Sequence, residues 1–185
     1  GGDDLCVLGP WDVILDFAIK VQTVFLKFTG ANSDLTISAG IALSHAGVPV
    51  SRIAEMAEDE LQKAKEQKNK NSISLFGLAM SWEEYKDCLV QGKLLAEELK
   101  NNNISAASIY SLIENSKKAE EFDKGNIAKD NALWKSHYEY ALRRSKAKEE
   151  AKNIMKGYAV NARLMIASRI AASYALYINR KGEEL

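Results

Sequence analysis

The hydrophobic rhythm of this 185-residue chain changes once, near Gly77. That change predicts a mixed fold in the first part and a helical one in the second. Upstream of Gly77 the clearest strand is residues 35–43. Leu35, Ile37, Ala39, Ile41 and Leu43 share one parity, and Thr36, Ser38, Gly40 and Ala42 the other. A strand with this pattern has one bulky and one small face. Residues 5–8 are a short apolar run stopped by Gly9-Pro10, and residues 72–76 a third predicted strand ended by Gly77. Between them, residues 12–28 read as a helix with Ile14, Ala18, Val21, Phe25 and Phe28 on its buried stripe. Ser51 is the expected N-cap of a second helix running to about Gln67, with Ile53, Ala57, Leu61 and Ala64 inward. The predicted order is strand, helix, strand, helix, strand.

Past Gly77 the sequence predicts only helices. Ser81-Trp82-Glu83-Glu84 is a capping box opening a helix to about Lys100. Ser105 caps the next, expected to end near Lys118, before a charged connector over 117–129 containing the i,i+4 pair Glu120–Lys124. Further helices are expected over 131–144, 146–158 and 163–180. In the last, Ile166, Ile170, Tyr174 and Tyr177 share a face, and Ala167, Ala171, Ala172 and Ala175 keep it thin. The reading is α+β: a partial mixed domain over 1–80 followed by an all-α helical bundle over 81–185.

Charge excludes little. The 25 basic residues balance 25 acidic ones, so net charge gives no support to a free-standing nucleic-acid binder. Arg143, Arg144, Lys146 and Lys148 could form a local patch for RNA or single-stranded DNA. With Glu149 and Glu150 beside them, the sequence favours a solvated helix face. Cys6 and Cys88 lack metal-ligand spacing. Cys6, in an apolar run, reads as a buried reduced thiol, which points to the cytoplasm. Residues 164–178 are too short for a membrane span and contain Arg169. His45 and His137 have no partnered acid or cysteine pattern and read as ordinary histidines. The chain opens on a turn without Met, which reads as a segment of a longer protein.

Three features carry candidate chemistry. Gly1-Gly2-Asp3-Asp4 suits a tight hairpin bearing two successive carboxylates. Hard divalent cations such as Mg²⁺ take such oxygens together with nucleotide phosphates, although a solvent-exposed acidic turn has the same sequence. The small face of 35–43 suits an open surface against which a ligand lies, or a face covered by another domain. Lys65, Lys68 and Lys70 lie around the turn before residue 72, where lysines reach phosphates as point charges or simply favour a helix C-terminus.

Together these segments resemble a known family. Gly1-Gly2-Asp3-Asp4, Gly9-Pro10-Trp11-Asp12 and Leu35-Thr36-Ile37-Ser38-Ala39-Gly40-Ile41-Ala42 are similar to the second palm domain of the large subunit of type III CRISPR effectors. Ile53-Ala54-Glu55-Met56-Ala57-Glu58, Ala64-Lys65 and Lys70-Asn71-Ser72-Ile73-Ser74-Leu75-Phe76-Gly77 continue the likeness in order. Trp82-Glu83-Glu84-Tyr85 resembles the start of that family's C-terminal helical domain, more Csm-type than Cmr-type, and 174–180 its ending.

The resemblance implies a ferredoxin-like palm of the GGDEF and polymerase type, of which this chain carries the C-terminal portion. It implies conversion of ATP to cyclic oligoadenylate with Mg²⁺ or Mn²⁺, switched on by target RNA paired to crRNA. By position, Asp3 and Asp4 become the metal-binding and catalytic carboxylates. Gly1, Gly2, Lys65 and Lys70 become nucleotide-binding positions, the lysines by a looser match because the turn is one residue longer. Ser38 is a further expected nucleotide contact. Expected partners are a small helical subunit docked on the helical half, crRNA and target RNA, and the upstream part of the same protein, with no membrane. The family's palm has a strand, a helix and a second strand before the position of Gly1, so this segment alone is expected to be inactive. A GGDEF-type diguanylate cyclase is the enzymatic alternative, opposed by Leu5 where Phe is expected. The non-enzymatic alternative is a scaffold of a ribonucleoprotein complex.

Overall fold

The computed structural model describes residues 4–180. The chain divides into two compact units between Lys86 and Asp87.

The first unit opens with α1 (Trp11–Phe28), which starts directly after Pro10, as the Gly-Pro break predicts. Its inward face is one step round from the predicted stripe. Leu15 and Gln22 are buried, whereas Phe28 is 88% exposed. The contacts that fix this rotation come from the first turn and a half of the later helix α3 (Trp82–Lys100). The Tyr85 hydroxyl donates to the Leu15 carbonyl at 3.2 Å, and Lys86 Nζ donates to Gln22 Oε1 at 3.1 Å. Residues 5–8 do not form the predicted strand, and Leu5, Val7 and Leu8 are exposed. Cys6 is exposed too, correcting the buried thiol. An apolar run becomes a strand only where a neighbour takes up its backbone hydrogen bonds. The described sheet contains no ladder to this run.

The sheet has three strands in the order β1-β2-β3: β1 (Ala39–Ile41), β2 (Ser72–Leu75) and β3 (Leu78–Ser81). The predicted strand 35–43 shrinks to the three residues that pair in parallel with β2, Ala39 with Ile73, Gly40 with Ser74 and Ile41 with Leu75. The crossover between them is α2 (Val50–Lys65), whose N-cap is Pro49 rather than Ser51 and carries no side-chain cap bond. Strand β3 was not expected. It pairs antiparallel to β2 through the two-residue turn Phe76-Gly77. Both turn residues have positive φ, 55° and 77°, the requirement of a primed hairpin turn. Gly77 is thus the second turn position and not the end of the sheet.

The small face of β1 is not open. A Cβ at position 40 would stand 2.1 Å from the Leu61 nitrogen and 2.4 Å from the Ala57 carbonyl oxygen. The backbone of α2 lies directly on Gly40, and on the same side of β2 the register places Ser72 and Ser74. Small residues here serve close helix approach, with Ala57, Glu60, Leu61 and Ala64 facing the sheet. Glu60 secures the contact. Its carboxylate accepts from the Ser74 hydroxyl, from the Gly77 amide at 3.1 Å and from Lys63 Nζ at 2.7 Å. Ile73 and Leu75, on the opposite face, are buried.

Every regular element among the described residues of the second unit is a helix. Helix α3 opens with the predicted capping box: Ser81 N–H donates to Glu84 Oε2 at 3.1 Å, and Glu84 N–H to Ser81 Oγ at 3.2 Å. Ser105 caps α4 (Ala106–Asp123), which runs past Lys118 and absorbs half of the expected connector. The expected helix 131–144 is two, α5 (Lys129–Ala132) and α6 (Trp134–Arg144). Helix α7 (Glu149–Gly157) begins three residues later than expected, and α8 (Ala162–Arg180) follows. Leu95, Ile109, Leu112, Tyr138, Met155 and Met165 form the centre of its core. Arg169 of α8 enters this core because α4 supplies partners. It donates to Ser116 Oγ at 3.2 Å and to Glu120 Oε2 at 2.5 Å, while Lys124 meets Glu120 at 2.6 Å. This explains why α4 continues to Asp123: its last turn carries the counter-charge. No helix among the described residues is long and apolar enough to cross a membrane.

Two outcomes follow from this packing. Gly40→Ala should destabilise the chain by about 1–3 kcal/mol in urea unfolding, because the α2 backbone has no room to retreat without losing its sheet contacts. Burial pushes the Glu120 carboxyl up, but hydrogen bonds and charge from Lys124 and Arg169 outweigh it and hold it below its ordinary value. A depressed carboxylate stabilises the fold above its unfolded pKa and loses that contribution as pH falls through the folded one. Glu120→Gln should therefore cost roughly 1–3 kcal/mol at neutral pH, and the difference from native should vanish in acid, read from urea midpoints across pH.

Candidate functional site

Of the seven residues that the sequence singles out, Asp4, Ser38, Lys65 and Lys70 are described, and Gly1, Gly2 and Asp3 lie outside the described residues. The topology of the first unit brings three of the four to one end of the sheet. Strands β1 and β2 are parallel, with Ala39 level with Ile73, so their N-terminal ends lie together. Ser38 immediately precedes β1, and Lys70 stands two residues before β2. Lys65 is the last residue of α2, which returns the chain to that same end. Lys65 and Lys70 are exposed, and Ser38 is half-buried. The small strand face that carries Ser38 is covered at Gly40, so Ser38 lies at the sheet's end and not on an open surface.

The turn carrying Lys70 has an unusual backbone. Lys70 and Asn71 both lie in the left-handed region, with φ of 48° and 44°. Asn tolerates that conformation, whereas Lys adopts it at a cost of about 1 kcal/mol or more. The turn is held by Lys70 N–H donating to the Gln67 carbonyl at 2.8 Å and by Ser72 Oγ donating to the Lys70 carbonyl at 2.6 Å. The same end of the sheet receives the start of α3, because antiparallel β3 places Ser81 opposite Ser72. Trp82 Nε1 donates to the Ile37 carbonyl at 3.0 Å and so fixes the approach to Ser38.

Asp4 is exposed. Among the described residues no group of three His, Cys, Asp or Glu side chains is placed to hold a metal ion. Sequence reasoning missed Glu60 and Trp82 as positioning residues. Glu60 binds the turn after β2, at the opposite sheet end from Lys70, so it braces the strand and does not line the site. A charged residue between Ala57 and Ala64 on the inner face of a helix was the available signal. The indole bond from Trp82 to residue 37 spans 45 positions and leaves no local trace.

Residues 1–74 match the model of a protein family described as Cas10/Cmr2, second palm domain. Three similar proteins carry the name CRISPR system single-strand-specific deoxyribonuclease Cas10/Csm1 (subtype III-A). The one from Streptococcus thermophilus is 33% identical over 138 residues, 70% of this chain and 17% of that protein. The chain belongs to the Cas10 large-subunit family. The Cas10 relative from Mycobacterium tuberculosis is 33% identical over 119 residues, 62% of this chain and 14% of its own length. That from Enterococcus italicus is 24% identical over 188 residues, 99% of this chain and 23% of its own. The chain thus spans less than a quarter of the length of each of these Cas10 relatives. No solved structure matches it.

The Lys70 backbone gives a test independent of activity. Lys70→Gly should raise stability by about 1 kcal/mol in urea unfolding by removing the left-handed cost, while Lys70→Ala should not. Equal effects of the two would show that the turn is not strained there.

Proposed function

We propose that the chain is the part of a type III CRISPR large subunit that contributes Asp3 and Asp4 to magnesium-dependent nucleotidyl transfer, making cyclic oligoadenylate from ATP in response to target RNA. The observation that carries the reading is the match of residues 1–74 to the second palm domain, which includes the Gly1-Gly2-Asp3-Asp4 segment. The gathering of Ser38, Lys65 and Lys70 at one sheet end adds to it. The crossover β1-α2-β2 with antiparallel β3 is compatible with the C-terminal portion of a ferredoxin-like palm, which we assign to residues 1–80. We assign residues 81–185 to a helical bundle that docks a small subunit in a cytoplasmic complex with crRNA and target RNA.

Successive carboxylates fit Mg²⁺ or Mn²⁺ in kind, as hard oxygen donors, and Asp4 is exposed to supply one. They do not fit in number, so phosphate oxygens, water and further acids would complete the set. The bound ion would neutralise phosphate charge and ease loss of a proton from the attacking 3′-hydroxyl. Lys65 and Lys70, as exposed ammonium groups on a braced turn, would offset triphosphate charge without needing to move far. Ser38 Oγ can donate to a nucleotide oxygen from the sheet's end. The 3′-oxygen attacks the α-phosphorus, a new phosphodiester bond forms, and pyrophosphate leaves.

The test is the double substitution Asp3→Ala with Asp4→Ala in the complete large subunit, assembled with its RNA. Oligoadenylate synthesis should fall at least a hundredfold, read by product chromatography, with assembly unchanged. Normal synthesis, or loss of single-strand DNA cleavage in its place, would overturn the assignment.

A further inference from the structure

The neutral total conceals a strong local charge. Residues 134–163 hold eight lysines and arginines against three glutamates, a net of +5, and the rest of the chain holds 17 against 22, a net of −5. This segment folds as α6 and α7 with their connections, within the second unit. The sequence favours a solvated face here, because Glu149 and Glu150 are adjacent. The structure pairs two of the three acids and leaves the segment an excess of cations. Glu149 meets Lys156 at 3.0 Å and Glu139 lies 3.9 Å from Arg143. Lys146 and Lys148 have no ion pair among the described residues, and Lys152 acts on Glu149 through charge without a close ion pair.

Basic residues line two grooves. One, of about 540 Å³, is walled by Lys135, Arg143, Lys152 and Lys156, with Glu139 and Glu149 the two acids among them. A second, of about 370 Å³, shares Leu142 and carries Arg144 and Lys146 beside the hydroxyls of Ser105, Ser108 and Ser111. Tyr140, on α6, is 60% exposed. The Arg144 guanidinium lies 5.4 Å from its ring centroid and donates to its hydroxyl at 2.6 Å, which holds the ring in place.

We propose that α6 and α7 form a binding surface for a single-stranded nucleic acid. Clustered like charges on one helical hairpin cost stability unless a polyanion meets them. Two adjacent basic grooves suit a phosphodiester backbone, hydroxyls supply neutral donors to phosphate oxygens, and an oriented exposed ring offers a face for a base. A docked acidic protein fits less well. Between residues 134 and 163, Tyr140 and Val160 are the large hydrophobic side chains exposed, too little apolar surface to anchor one.

The experiment is fluorescence anisotropy of the full chain with labelled oligo(dT) and oligo(U) over a salt series. Substituting Lys146, Lys148 and Lys152 together by Gln should weaken binding at least tenfold at low salt. The slope of log affinity against log salt should become shallower by about 2, as expected for three lost phosphate contacts on a single strand. Tyr140→Ala should weaken it about fivefold or more. The control Lys20→Gln, Lys27→Gln, Lys100→Gln, with the same net charge, should bind as the native chain. Binding of either strand supports the proposal, and a preference identifies RNA or DNA as the source. It is overturned if neither strand binds, if the triple variant keeps native affinity and slope, or if the control loses as much. It is also overturned if polyglutamate displaces the strand as well as unlabelled oligonucleotide does, which would point to an acidic protein. Circular dichroism of each variant excludes loss of fold as the cause.

Discussion

Helix α2 lies so close to β1 that its backbone occupies the space a side chain at position 40 would need. Everything that positions the candidate site in the first unit depends on that approach. It holds the crossover flat against the sheet, so β1 and β2 can pair in parallel with Gly40 level with Ser74. The parallel pairing in turn brings Ser38 and Lys70 to the same end, and the length of α2 returns Lys65 there. Glu60 locks the far end by accepting from Ser74 and from the turn amide of Gly77. A buried carboxylate is normally a liability, but three donors satisfy this one, and it converts close packing into a fixed register.

What was legible in the sequence was local. The Ser81–Glu84 capping box, the Ser105 cap, the Gly-Pro entry to α1 and the Glu120–Lys124 pair are set by neighbours three or four residues apart, and each is found where the spacing puts it. The positions that misled were set by partners far along the chain. Residues 35–43 alternate over nine positions, yet strand forms only over Ala39–Ile41, where β2 is there to pair. The rotation of α1 follows from Tyr85 and Lys86, some 64 to 70 residues away. Strand β3 was hidden because Leu78-Ala79-Met80 shows no alternation and the capping box follows at once.

The same distinction applies to the site. Alternation identified the small face of β1 correctly but could not say what lay on it. Smallness is equally suited to a ligand or to a helix backbone, and only the position of α2 decides. The lysines were legible as charges near a turn. That Lys70 stands in a left-handed conformation, held by Ser72 and Gln67, has no signature in the sequence around it.

The second unit shows the counterpart in electrostatics. Arg169 is buried and Lys152 is not, though both are cations on amphipathic helices. The difference lies in what the neighbouring helix supplies. Helix α4 presents Ser116 and Glu120 one turn apart, matched to the two ends of a guanidinium, and extends to Asp123 to do so. Lys152 shares its groove with Lys135, Arg143 and Lys156, four cations against the two acids Glu139 and Glu149. Folding has therefore resolved one cation internally and left the other group unresolved. A cluster in which cations outnumber acids, beside an oriented ring, is the arrangement expected of a surface whose counter-charge arrives from outside the chain.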